Sequence, residues 1–227
     1  AVSAAYGSAG ERCMAISVVV AVGDAGDRLV EAIRVRMEKL VIGPGTDPAS
    51  EMGPLITREA RDRVANYIQA GADAGCRVVV DGRDQAFHGD GFFLGVSLLD
   101  HVTTDMSVYT DEIFGPVLSV VRADSYAEGA QMIRDNPFGN GAAIFTRDGG
   151  AARQFQQDAD AGMVGINVPI PVPVGYHSFG GWNDSAFGDH TIYGPEGLRF
   201  YTRPKVVTSR WPDPSTNGVD LGFPRND

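Results

Sequence analysis

Apolar residues along the chain fall into two rhythms, short continuous runs and longer runs at helical spacing. Residues 16–22 form a short β-branched run closed by Gly23, which predicts a buried strand. Asp24 or Asp27 then caps a helix on which Val30, Ile33, Met37, Leu40 and Val41 share one face. Gly43-Pro44-Gly45-Thr46-Asp47-Pro48 stops that helix and opens a long loop to Gly53-Pro54-Leu55-Ile56. A second helix over 58–74 turns Val64, Tyr67, Ile68 and Gly71 inward. Strands are predicted over 77–81 and 92–99.

Pro116 opens a strand over 116–122, and a helix over 125–134 ends at Asn136-Pro137. A strand over 142–146, a helix over 149–161 and a strand over 163–167 follow. This alternation predicts an α/β fold of three layers, with a mostly parallel sheet and helices on both faces. The pattern then changes. Pro169, Pro171 and Pro173 remove alternate amide donors, so 169–174 is expected to be extended, neither helix nor central strand. A glycine-rich stretch over 178–188 leads to two strand-like runs, 198–202 and 205–211, broken by Arg203-Pro204. Phe200, Tyr201, Val206, Val207 and Trp211 are costly to leave bare, so 198–211 is expected to be an assembly arm. From Pro212 the chain is rich in Pro, Asp, Asn and Gly and is expected to be mobile. The expected division is a catalytic body over 1–197, an arm over 198–211 and a tail over 212–227.

Composition narrows the function. With 227 residues, 43% of them hydrophobic, the chain can bury a sizeable core in one or two domains. No apolar run approaches the roughly 18–20 residues that span a bilayer. The first residues lack the basic flank of a signal peptide. A formal charge of −10 opposes a nucleic-acid footprint, which needs a basic face. The two cysteines, Cys13 and Cys76, are expected to be free thiols in a reducing compartment. That compartment would be the cytoplasm, or the mitochondrial matrix in a eukaryote. His88, His101, His177 and His190 are scattered without metal-ligand spacing, and no metal site is expected.

The candidate chemistry centres on Cys13, in Gly10-Glu11-Arg12-Cys13-Met14-Ala15. A cysteine nucleophile works as the thiolate. The charge of Arg12 and a short helical turn over 13–17 would both favour that anion. Residue type alone would also allow a buried structural cysteine. Cys76, beside Gly75 and ahead of Val78-Val79-Val80, is read that way. About a hundred residues beyond Cys13 stands Glu112-Ile113-Phe114-Gly115-Pro116, which by itself would be a turn before a strand.

Taken together, the Cys13 segment and the Glu-x-Phe-Gly-Pro segment resemble the aldehyde dehydrogenase superfamily. Gly53-Pro54-Leu55-Ile56, Gly141-Ala142-Ala143-Ile144-Phe145-Thr146 and Gly162-Met163-Val164-Gly165-Ile166-Asn167 resemble it more weakly. Arg12, the proline-rich run and Ser178-Phe179-Gly180-Gly181 point to its CoA-acylating methylmalonate- and malonate-semialdehyde branch. The likeness covers residues 3–211. It implies the superfamily's three-layer catalytic domain with C-terminal oligomerisation strands, and a homo-oligomer. It implies Cys13 as nucleophile and Arg12 as the holder of the substrate carboxylate, against the plainer reading of a surface or salt-bridged arginine. It implies Glu112 on the ribose next to the nicotinamide of NAD, Phe114 against the ring, and CoA as co-substrate. In that family an NAD domain precedes the cysteine, so the chain is expected to correspond to the C-terminal catalytic portion and to be inactive alone. The alternatives are a hydrolytic aldehyde dehydrogenase for another acidic aldehyde, or a fragment that only assembles.

Overall fold

The computed structural model of the chain describes residues 1–87, 90–211 and 222. Except for Gly222, the tail expected beyond Pro212 lies outside the described residues, as does His88.

A short helix α1 (Val2–Tyr6) runs into a 3-10 turn over Gly7–Gly10. Strand β1 (Val18–Val22) and helix α2 (Ala25–Met37) follow, with Val30, Ile33 and Met37 buried on one face. Helix α3 (Arg58–Asp73) starts where the Thr57 hydroxyl accepts the Ala60 amide, and it buries Val64, Ile68 and Gly71. Then come β2 (Arg77–Val80), β3 (Ser97–Asp100), α4 (Ser107–Thr110), β4 (Val117–Ala123) and α5 (Tyr126–Asp135), the last capped by Ser125. These strands form one sheet in the order β1-β4-β3-β2. β4 runs parallel to β1 and to β3, with Val18 opposite Ser119 and Ser97 opposite Val117; β2 is antiparallel to β3. All of β3 and nearly all of β4 are buried, which requires cover on both faces, as three layers provide.

The second part is built of smaller pieces. Strands β5 (Phe138–Gly139) and β8 (Trp182–Asn183) make one antiparallel ribbon. Strands β6 (Gly141–Ile144) and β7 (Met163–Ile166) make a parallel one, joined by helix α6 (Gly149–Asp158). Helix α7 (Gly194–Tyr201) closes the described fold.

Three expectations are corrected. The strand foreseen over 198–202 is the second half of α7. Gly194 at φ 67, Pro195 in the first turn and Glu196 beside it start a helix, and those signals outweigh the strand preference of Phe200 and Tyr201. The expected boundary between 197 and 198 therefore falls inside α7, and 205–211 pairs with no strand among the described residues. The strand foreseen over 92–99 begins only at Ser97. Just before it, Gly82 and Gly95 meet backbone to backbone: a Cβ on Gly82 would lie 1.9 Å from the Gly95 carbonyl oxygen. The helical turn expected over 13–17 is a single hydrogen-bonded turn, Ala15 N to Arg12 O at 3.0 Å.

Candidate active site

The Cys13 segment owes its course to three successive left-handed residues, Ser8, Ala9 and Gly10, with φ of 53, 56 and 71°. Small side chains tolerate this, and at Gly10 it is obligatory. A Cβ there would lie 2.1 Å from the Gly115 carbonyl oxygen. Gly10 thus lays the backbone ahead of Cys13 directly on the backbone behind Phe114. Beyond it the Glu11 carboxylate accepts the Ile56 amide at 3.4 Å, which ties the segment to the Gly53–Ile56 loop. The Ile16 amide donates to Ala4 O at 3.2 Å and fixes the exit.

Cys13 sits on the turn between these anchors and is exposed, which removes the alternative of a buried structural thiol. Its side chain has no hydrogen-bond partner among the described residues. Its carbonyl accepts from Asn140 Nδ2 at 3.0 Å. Cys76 is buried, as expected, and burial pushes its thiol pKa up, which disfavours the reactive anion.

Helix α3 holds the second motif. Tyr67 donates to Asp111 Oδ2 at 3.0 Å, and Arg63 Nη1 donates to Ile113 O at 2.7 Å. Burial and the Asp111 carboxylate push the Tyr67 phenol up, so it remains a donor. Ile113 and Gly115 point inward; a Cβ on Gly115 would meet Val64 Cγ2 at 2.4 Å. Glu112 and Phe114 are consequently turned out, Phe114 at φ 51°. The Glu112 carboxylate has no hydrogen bond or ion pair among the described residues. A free carboxylate two residues from an open aromatic face can accept a pair of hydroxyls while the ring covers a flat heterocycle. These residues therefore fit the ribose and nicotinamide end of a dinucleotide.

Arg12 is placed differently. Its Nε donates to Ser8 Oγ at 3.0 Å, and its guanidinium lies over Gly7, so close that a Cβ on Gly7 would be 2.8 Å from Nη1. It lines a groove with Arg28, Arg36 and Lys39, and Cys13 is not part of that lining. Among the described residues Arg12 makes no ion pair. The structure thus seats the segment that leads to Cys13 on the segment that follows Phe114, and sets the Arg12 head group to one side. Sequence reasoning missed Asn140, Arg63 and Asp111. The only available signal for Asn140 was a polar residue between two glycines ahead of a predicted strand.

Comparison with known proteins gives the following. The model of the aldehyde dehydrogenase family matches residues 1–207. A malonate-semialdehyde dehydrogenase from Pseudomonas aeruginosa is 54% identical over 97% of this chain and 45% of its own length. The crystal structure of methylmalonate-semialdehyde dehydrogenase from Oceanimonas doudoroffii superposes with a TM-score of 0.91 at 52% identity, over 94% of this chain and 44% of that one. An aldehyde dehydrogenase from Mycobacterium tuberculosis, solved with NAD+, gives a TM-score of 0.80 at 30% identity, over 86% and 40%. The chain spans less than half the length of these relatives.

Proposed function

The chain belongs to the aldehyde dehydrogenase family, and from that premise we propose that it carries the nucleophile of a CoA-acylating malonate- or methylmalonate-semialdehyde dehydrogenase that uses NAD. What carries this is the contact of Gly10 with Gly115. It seats the backbone three residues ahead of the exposed thiol on the backbone just after Phe114, segments about a hundred residues apart in sequence, and this supports one shared site.

The Cys13 thiolate would attack the aldehyde carbon, forming the C–S bond as the carbonyl electron pair moves onto oxygen. The Cys13 amide is one donor to that oxyanion. Glu112 would accept the ribose hydroxyls of NAD and Phe114 would cover its ring. Bound NAD would supply the hydride acceptor that turns the adduct into a Cys13 thioester. After loss of carbon dioxide from the substrate carboxylate, the CoA thiol would take the acyl group and release Cys13. Arg12 would hold that carboxylate until then only from another rotamer, its side chain leaving Ser8 Oγ and turning toward the thiol. The exposed apolar residues of the arm, Phe200, Tyr201, Val206, Val207 and Trp211, would bind a second copy of the chain.

The test is product analysis with the enzyme that carries this chain, given malonate semialdehyde, NAD and CoA. Acetyl-CoA that disappears in Cys13→Ala is expected. Free acid in place of acyl-CoA would identify a hydrolytic enzyme, and turnover untouched by Cys13→Ala would overturn the assignment. In the folded chain, iodoacetamide should label Cys13 well before the buried Cys76.

A further inference from the structure

We propose that Asn140 is a positioning residue for Cys13, holding the nucleophile turn through the hydrogen bond from its carboxamide to the Cys13 carbonyl; this rests on Cys13 being the nucleophile. The bond measures 3.0 Å and joins residues 127 positions apart.

The base of Asn140 is hydrogen-bonded on both sides. On one side Gly139 pairs with Trp182, its amide donates to Ser185 Oγ at 3.1 Å, and its carbonyl accepts from Gly162 N at 2.9 Å. On the other side Gly141 pairs with Met163. Asn140 is therefore clamped between two ladders, and its side chain reaches out from a fixed point.

The thing it holds is not rigid by itself. The Cys13 turn is closed by one hydrogen bond, Ala15 N to Arg12 O. The Cys13 side chain is exposed and has no partner among the described residues. The Cα–Cβ bond that carries Sγ is oriented by the backbone torsions of Cys13, and where its carbonyl points fixes one of them, ψ. Asn140 Nδ2 takes that carbonyl. The next residue cooperates: a Cβ on Gly141 would lie 2.6 Å from Met14 Cε, so the Met14 side chain packs on the bare backbone of Gly141. Asn140 and Gly141 together form a seat for Cys13 and Met14. A nucleophile held in line for attack gains rate without gaining substrate affinity, and a small misplacement forfeits that gain.

The chain has two cysteines, so cysteine labelled with 13C at the carbonyl gives two resonances, one from Cys13 and one from Cys76. Asn140→Leu and Asn140→Asp both remove the donor. Each should move the Cys13 resonance and leave that of Cys76 in place. In the enzyme that carries this chain, kcat with malonate semialdehyde should fall about threefold to tenfold, the worth of one neutral hydrogen bond. KM should stay within about twofold. Asn140→Gln keeps a carboxamide on a longer stem and should recover part of the loss. An unmoved Cys13 resonance in both donorless variants would overturn the proposal. So would a Gln variant as slow as the Leu variant, or a loss expressed wholly in KM. Should Asn140→Leu fail to fold, the isosteric Asn140→Asp decides. Turnover that survives Cys13→Ser would remove the nucleophile assignment instead, while the resonance still tells whether Asn140 holds the turn.

Discussion

In the four-stranded sheet and its helices, Val64, Ile68, Leu98 and Leu118 have no accessible surface left; past β6, Phe187, Val206 and Trp211 stand at 101%, 90% and 93% exposure. Both regions are rich in large apolar side chains. In the first, α3 and the neighbouring strands supply the opposing surface. In the second, two ribbons of two strands and two short helices have no such layer of their own, and a lone two-stranded ribbon is marginal in water. A hydrophobic pattern states which residues seek cover. It does not state whether the cover lies within the chain, and here the two halves answer differently.

The comparison can be broken most forcefully at Arg122. Its Nε and Nη2 donate to the two oxygens of the buried Asp100 at 2.9 and 2.8 Å, and Nη2 also reaches Asp27 at 3.0 Å. Arg122→Leu would leave the buried carboxylate with only the His101 amide and ring beside it and should cost about 3–5 kcal/mol in urea unfolding. Burial pushes the Asp100 carboxyl up, but the Arg122 hydrogen bonds and the His101 amide pull it below its ordinary value on balance. A folded pKa lower than the unfolded one stabilises fully above about pH 4 and is lost as the pH falls through the folded value. Stability of the natural protein should thus decline in that acid range. In Arg122→Leu this contribution should vanish or change sign, since the lone buried carboxyl then prefers its proton.

Next comes a matched pair of truncations. Leu98→Ala should cost about 2–5 kcal/mol, because the site is closed on all sides. Trp211→Ser should change chain stability by no more than about 0.5 kcal/mol, yet lower the sedimenting mass if the arm assembles. Equal losses at both positions would show that the second region is self-covered after all. The smallest contrast lies in two helix caps. Thr57 accepts Ala60 N at 3.0 Å in the first region, and Asp148 accepts Gly150 N at 2.7 Å in the second. Each change to Ala should cost about 1 kcal/mol. For Thr57→Ala the loss should appear in global unfolding, and for Asp148→Ala as faster hydrogen exchange confined to α6.

Much of the first region was legible in sequence because its signals are local. The spacing of Val30, Ile33 and Met37, the helix start at Ser125 and the largely apolar run of β4 each lie within one element. Cys13, Glu112 and Phe114 stood out through motif and spacing. The rest was set by contacts that no local window contains. Asn140 finds its partner 127 residues away. Arg12 shows a charge in the sequence, but whether its side chain turns toward Ser8 or toward the thiol is a rotamer choice. α7 was misread because Phe200 and Tyr201 outweighed, on propensity alone, the start signal at Gly194-Pro195.

The contact of Gly10 with Gly115 also has a consequence in time. A chain made from its N-terminus presents Cys13 long before Gly115 exists to receive the turn, and longer still before Asn140 does. At roughly 5–20 residues per second, the thiol would spend about five to twenty seconds on an unfinished chain, with nothing to aim it. The alignment proposed for this thiol would therefore be complete only once the later segment has been made and has folded against the turn.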